Sequence, residues 1–265
     1  MAGPQNGFMK LSKRLCRLLT VYVPEHETFT VNGVDCANLV ITRPGRLDEL
    51  LLIGAHYDTV RGSPGADDNA SGVAGLLELS RAFADLEPAR GVRFVAFTNE
   101  EPPFHLTKHM GSVVHARAAR ARGDRILLMV SLEMLGYYDN RPGSQRYPPL
   151  FRWFYPDRGD FLGFVGGSRA VMRQAATAFH AASALPVETC ATLRWIPGVA
   201  WSDHAPLWRR GYRAFMATDT AFHRNPFYHT ADDRSATLDY GRFAQAVDGL
   251  AGCFLQLAAG RPRHG

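Results

Sequence analysis

Short runs of apolar and β-branched residues alternate along the chain with longer stretches in which apolar residues recur every three or four positions. The first pattern suits strands buried on both faces, and the second suits amphipathic helices. Together they predict strands over residues 37–42, 50–55, 92–98, 126–132 and 212–217, and helices over 71–86, 110–121, 168–182 and 240–257. Strands that alternate with helices in this way read as one α/β domain around a largely parallel sheet. That domain is expected over residues 11–259, with residues 1–10 and the tail 260–265 expected to be disordered. The segment 137–167, rich in Pro, Gly and aromatic residues, is longer than a plain connection needs and predicts a substrate-facing loop.

Composition narrows this picture. A chain of 265 residues, 46% hydrophobic and 21% charged, fits a single domain with one large core. The stretch 9–20 is broken by Lys10, Lys13, Arg14 and Arg17, so neither a membrane span nor a signal peptide is expected, and the protein is read as soluble and cytoplasmic with no membrane partner. Cys16, Cys36, Cys190 and Cys253 are scattered without a CxxC pair, which predicts buried free thiols. The net charge of +5 raises the question of nucleic acid. Its densest cluster, Arg117, Arg120, Arg122 and Arg125, lacks interleaved aromatics and reads as a solvated helix face, so no nucleic-acid partner is expected.

The polar residues that carry chemistry follow the predicted strands. His56 and Asp58 stand two apart at a strand end, where i and i+2 project to one side, so the Asp58 carboxylate can accept from one ring nitrogen while the other faces a metal. The segment from Pro64 to Gly72 precedes a helix, and capping accounts for part of its Asp, Asn and Ser content. It does not account for the adjacent carboxylates of Asp67 and Asp68, whose repulsion a divalent cation would relieve. Glu100 and Glu101 sit side by side in Asn99-Glu100-Glu101-Pro102-Pro103; one can bind metal while the other holds a water. Glu133 follows another apolar strand, and Tyr228-His229 lies near the C-terminus. Ends of parallel strands face the crevice in which α/β sheets bind ligands.

The ordered series GAHYDT, PGADDNASG, NEEPP, SLEM and YHTADD resembles metallopeptidase family 28, a family of co-catalytic di-zinc aminopeptidases and other exopeptidases, over nearly the whole chain from Asp35 to Ala258. The resemblance implies a zinc-exopeptidase-like α/β fold: a single domain with a mixed, mostly parallel, twisted sheet of about eight strands and helices on both faces. It implies two Zn2+ per chain, with Co2+ or Mn2+ also suited to an all nitrogen and oxygen ligand set. His56 and Glu133 would bind one ion, Glu101 and His229 the other, and Asp68 would bridge them. Glu100 would be the catalytic base, and Asp58 would back the first histidine. The implied activity is hydrolysis of a peptide or small amide substrate, most simply as an aminopeptidase. One departure stands out: Glu133 occupies a position where the well-studied aminopeptidases of the family carry Asp. That leaves carboxypeptidase and deacylase activity open.

Two further readings compete, a glutaminyl-cyclase-like acyltransferase working with one zinc, and an inactive receptor-like domain that keeps only the fold. The full ligand set argues against both. No GxSxG, HExxH or P-loop occurs. Tyr228, Asp203 and His204 are candidate substrate contacts, although Ser202-Asp203 before a helix is also a plain cap. His105 and His109 read as loop or surface histidines, and Trp195, Trp201, Trp208, Phe227 and Tyr228 more as core than as pocket. Nothing in the sequence bears on oligomeric state.

Overall fold

The structure, a computed structural model, describes residues 22–260. The expectations for residues 1–10, for Cys16 and for the tail beyond Gly260 lie outside those residues. Eight strands form one mixed sheet: β1 (Glu25–Val31), β2 (Val34–Arg43), β3 (Leu47–His56), β4 (Arg90–Phe97), β5 (Ile126–Glu133), β6 (Leu162–Gly166), β7 (Val187–Ala191) and β8 (Ala214–Thr218). Their order is β1-β2-β4-β3-β5-β8-β6-β7. The central pairings β4-β3, β3-β5 and β5-β8 are parallel, as is β6-β7, while β1-β2, β2-β4 and β6-β8 are antiparallel.

The two-residue alternation of the central strands divides the interior into two layers. Leu51, Ile53 and Ala55 of β3, with Val92, Phe94 and Ala96 of β4, face one core. Leu52, Val95 and Phe97 face the other. Over the first core lie α1 (Gly72–Ala82), α3 (Arg169–His180) and α5 (Tyr240–Ala259), through Leu76 and Leu79, Phe179, and Leu250 and Phe254. Over the second lie α2 (Gly111–Arg122) and the short α4 (His204–Arg209), through Ala116, Ala119 and Leu207. Helices therefore cover both faces, as parallel strands require. α5 starts where the Asp239 side chain accepts the Arg242 amide at 3.0 Å. It packs tightly on α3 at Gly249, where a Cβ would stand 2.3 Å from the Phe179 ring.

Four elements escaped the periodicity. β1 is a largely exposed edge strand of Glu, His and Thr, and β6 and β7 are five residues each, too short to show alternation. β6 closes the segment read as one long loop. α4 spans six residues, under two turns. The thiols also differ from expectation: Cys253 is buried, but Cys36 and Cys190 are half-buried because they sit on strands near the two sheet edges; all three are free. Arg117, Arg120, Arg122 and Arg125 are exposed. Among the described residues no helix is long and apolar enough to cross a membrane.

One buried side chain locks the antiparallel half of the sheet to the layer above. Asn38, fully buried on β2, donates to the Gly111 carbonyl at 2.9 Å and to Glu27 at 2.8 Å, and accepts the Thr98 amide at 3.2 Å. Replacing it by alanine strands two buried backbone groups, each costing about 1–3 kcal/mol. Asn38→Ala should therefore lower the unfolding free energy by about 2 kcal/mol or more in urea titrations. An unchanged midpoint would show that this bridge holds nothing.

Candidate active site

Register brings three acidic clusters to one level. His56 pairs with Phe97, and Gly54 with Ser131, so His56 ends β3 beside the Asn99–Glu101 turn after β4 and beside Glu133 at the end of β5. Asp68 enters from the turn before α1, joined to Asn69 by a cis peptide bond, and His229 from the segment after β8. Asn99, Met134 and His229, beside or within these clusters, all have positive φ. Backbone held in that region costs of order 1–3 kcal/mol per residue and persists where surrounding structure dictates it.

The dictating groups are carboxylates. Asp58 accepts the backbone amides of Glu100 at 3.2 Å and Glu101 at 3.0 Å. Asp233 grips the amides of Asp67 at 2.9 Å and Asp68 at 3.1 Å in the same manner. Asn69 ties the Asp68 turn to β5, donating to the Leu132 carbonyl and accepting the Met134 amide at 3.0 Å. The expected contact of the Asp58 carboxylate with the His56 ring is thus displaced. Nδ1 donates to the Asp58 backbone carbonyl at 3.1 Å, and the carboxylate, engaged by the Glu100 and Glu101 amides, stands 3.7 Å away. Asp67, expected to share a cation with Asp68, turns the other way, accepting the Gly136 amide and the Asn225 side chain at 2.9 and 2.8 Å.

His56, Asp68, Glu101, Glu133 and His229 meet in one place. His56 Nε2 lies 3.4 Å from Asp68 and 3.3 Å from Glu133; His229 Nε2 lies 3.0 Å from the other Asp68 oxygen and 3.3 Å from Glu101. Two triads result, His56/Asp68/Glu133 and Asp68/Glu101/His229, each with its ligand atoms within 4.8 Å of one another, and both contain Asp68. A third combination, His56/Glu100/Glu101, overlaps them. Glu133 is held by Ser202, whose hydroxyl donates to Oε2 at 2.6 Å, leaving Oε1 toward His56.

The donor set suits a cation. Four carboxyl groups, Asp68, Glu100, Glu101 and Glu133, crowd against two imidazoles, and Glu101 Oε1 is buried without a hydrogen-bond partner. Burial drives the Glu100 carboxyl well above its ordinary range, with Glu133, Asp203 and Glu101 adding to the rise against His56. Glu101 is raised by burial as well. Burial would also raise Asp68, but the two histidines hold it down at about 2. Burial opposes charge on the histidines, yet the carboxylates lift His229 to about 9 and His56 well above 6.5. Buried negative charge in excess of its counter-ions is what a divalent cation neutralises.

Other candidates fall elsewhere. Asp203 and His204 are fully buried and do not line the cavity beside the cluster. His204 donates to the Val199 carbonyl at 2.9 Å and is pushed down to about 4 by burial, and Asp203 is raised to about 7 by burial behind His56. They are interior groups at the start of α4, away from the cavity lining. Tyr228 does line the cavity, stacked on the His229 ring at 3.8 Å. Of the five aromatics expected in the core only Trp208, half-buried against the second core, packs there; Trp201 and Tyr228 line the cavity, Trp195 is 75% exposed, and Phe227 is half-buried beside Tyr137. His105, read as a loop or surface histidine, faces the cavity with Nδ1 3.0 Å from the Glu100 carbonyl and 3.1 Å from its carboxylate. No spacing in the sequence announces that contact, nor those of Asp233 and Ser202.

The cavity itself has a volume of about 420 Å³. Tyr147, Phe151 and Tyr155 from the segment 137–161 line it together with the carboxylates, and among the described residues neither Lys nor Arg does.

Comparison with known proteins agrees with this architecture. The profile of Peptidase family M28 matches residues 38–253. The uncharacterized protein YfbL of Escherichia coli (strain K12) is 46% identical over 212 residues, 76% of this chain, and the match covers 65% of that protein. The chain thus spans just under two thirds of that relative's length. Two solved structures share the fold: BSAP, a zinc aminopeptidase from Bacillus subtilis, has TM-score 0.67 and 22% identity over 88% of this chain and 53% of its own. Fimbriiglobus ruber glutaminyl cyclase has TM-score 0.69 and 18% identity over 96% and 88%.

A cation bound only by the folded state at about a hundred times its dissociation constant adds about 2.7 kcal/mol, or on the order of 5 °C in melting temperature for a domain of this size. Zinc-loaded protein should melt higher than chelator-stripped protein by that margin in a thermal shift series with metal content measured in parallel. Coincident melting curves would refute a cation site here.

Proposed function

The chain belongs to peptidase family M28, and on that premise we propose that it is a zinc aminopeptidase, removing the amino-terminal residue from peptides. The observation that carries this reading is the charge of the cavity wall: carboxylates cluster at one end, and among the described residues no Lys or Arg lines it. A free amino terminus is welcome in such a field, and a substrate carboxylate is not. The same observation disfavours carboxypeptidase action.

In the proposed assignment His56 and Glu133 would hold one ion and Glu101 and His229 a second, with Asp68 available to both; the two triads sharing Asp68 support two ions over one. Bound there, zinc supplies Lewis-acid polarisation of the scissile carbonyl and acidifies water. The chain's own groups do the rest. Glu100, fixed through its amide by Asp58 and flanked by His105, is placed to take a proton from the attacking water and return it to the departing amine. Burial raises its carboxyl, which suits a group that must accept a proton and then give it up. Ser202 keeps one Glu133 oxygen occupied and leaves the other toward His56. Tyr228, stacked on His229, limits where substrate can lie.

Two measurements test this. Zinc-loaded protein should hydrolyse leucyl and methionyl 4-nitroanilides, lose that activity on chelation, and ignore the N-acetylated counterparts; cleavage of only the blocked substrates would indicate a deacylase, and cyclisation of glutaminyl peptides without anilide hydrolysis would indicate a cyclase. Glu100→Gln should keep its zinc and its fold while losing at least about a hundredfold in kcat. Near-full turnover in that variant would remove Glu100 as the base.

A further inference from the structure

One carboxylate of the cavity stands apart from the cluster. Glu188 lies on edge strand β7, and the registers connect it to the site in a single row: Glu133 pairs with Thr218, Thr218 with Gly163, and Gly163 with Glu188. All four line the same cavity. Neighbouring strands are about 4.8 Å apart, so three steps put Glu188 about 14 Å from Glu133 across the cavity floor. Between Thr218 and Glu188 the floor carries no side chain, because the row passes through Gly163, where a Cβ would meet the Thr218 carbonyl at 3.3 Å and the Thr220 methyl at 3.5 Å.

Edge strands often carry charge simply to keep other strands away. Such a charge is best left in water, whereas Glu188 is half-buried beside Tyr155, Phe161 and Cys190, and burial raises its carboxyl with no neighbouring charge contributing. Among the described residues it has no hydrogen bond or ion pair, and no Lys or Arg shares the cavity with it. A half-desolvated carboxylate at the far end of an aromatic channel is a site for a cation carried in on an apolar stem.

We propose that Glu188 determines specificity, selecting substrates whose amino-terminal residue is lysine or arginine. The proposal rests on the aminopeptidase reading for which residue of the substrate occupies the channel. With the α-amine and scissile carbonyl at the carboxylate cluster, the side chain of that residue runs along the row. An extended lysine or arginine spans about 6–7 Å from Cα, five or six bonds of about 1.5 Å in zigzag. With an N–H···O contact of about 2.8 Å at its end, it brings its charge to Glu188. Leucine or alanine ends short, on the aromatic wall.

The test compares substrates that share an unbranched aliphatic stem and differ in the cation at its end. For the zinc-loaded wild type, kcat/KM on lysyl and arginyl 4-nitroanilides should exceed that on the norleucyl substrate by tenfold or more. Glu188→Gln should abolish most of that margin, change norleucyl turnover less than twofold, and leave the melting temperature unchanged; Glu188→Lys should discriminate against the cationic substrates outright. Calorimetric binding of lysinamide against norleucinamide repeats the comparison without catalysis. Lysinamide preference that disappears in Glu188→Gln supports the proposal, and would do so even if no anilide were cleaved, in which case the aminopeptidase reading falls and the cation site stands. Hydrolysis of norleucyl and lysyl substrates at equal efficiency, or a lysyl preference indifferent to position 188, overturns the proposal and leaves the aminopeptidase reading intact.

Discussion

An excess of buried carboxylate at the C-terminal ends of the central strands is the constraint around which the molecule is arranged. Desolvated negative charge is expensive unless something answers it, and here two histidines answer only part of it. Every neighbouring feature serves to keep the charges together: the parallel register that levels three strand ends, the left-handed turns at Asn99 and Met134, and the hydroxyl of Ser202. None of these would be retained for stability alone, since an apolar cluster of the same volume would cost less to bury.

Two acidic side chains carry that arrangement without belonging to the cluster. Asp58 and Asp233 each accept two successive backbone amides, one beneath Glu100 and Glu101, the other beneath Asp67 and Asp68. An ionised acceptor of backbone N–H is among the stronger hydrogen bonds a fold can make. It fixes the main chain and leaves the side chains above free to face the cavity. Behind the second of these turns Asp67 is raised to about 6 by burial, and Asp219 is raised well above the usual carboxylate range by burial and by Asp67. The polar structure thus extends a full layer below the ligand atoms.

Much of this was legible in the sequence, and what was legible has a common cause. Strands β2 to β5 and β8 announce themselves because central strands are apolar on both faces, and the ligand candidates because they follow those strands directly. β1, β6 and β7 were not legible: at sheet edges half the side chains meet water, and five residues hold too few repeats to show a period. The aromatics misled for a related reason. Trp201 and Tyr228 look like core residues by type, but they face the cavity because of where a long connection folds back, and composition cannot say where that is. His105 and Asp233 act through contacts that span register and loop geometry. Asp203 and His204 look reactive in sequence and are merely interior.

The segment 137–161 that walls the cavity is pinched at its base, where Asp139 and Gly159 exchange a backbone hydrogen bond, and Gln145 docks it on Thr220. It leaves the sheet just after β5 and returns just before β6, so its length and composition are decoupled from the strand ends that carry the carboxylates. Evolution can therefore recut the mouth of the cavity by insertion, deletion or exchange within one excursion of the chain, while the acidic cluster stays on its rigid frame.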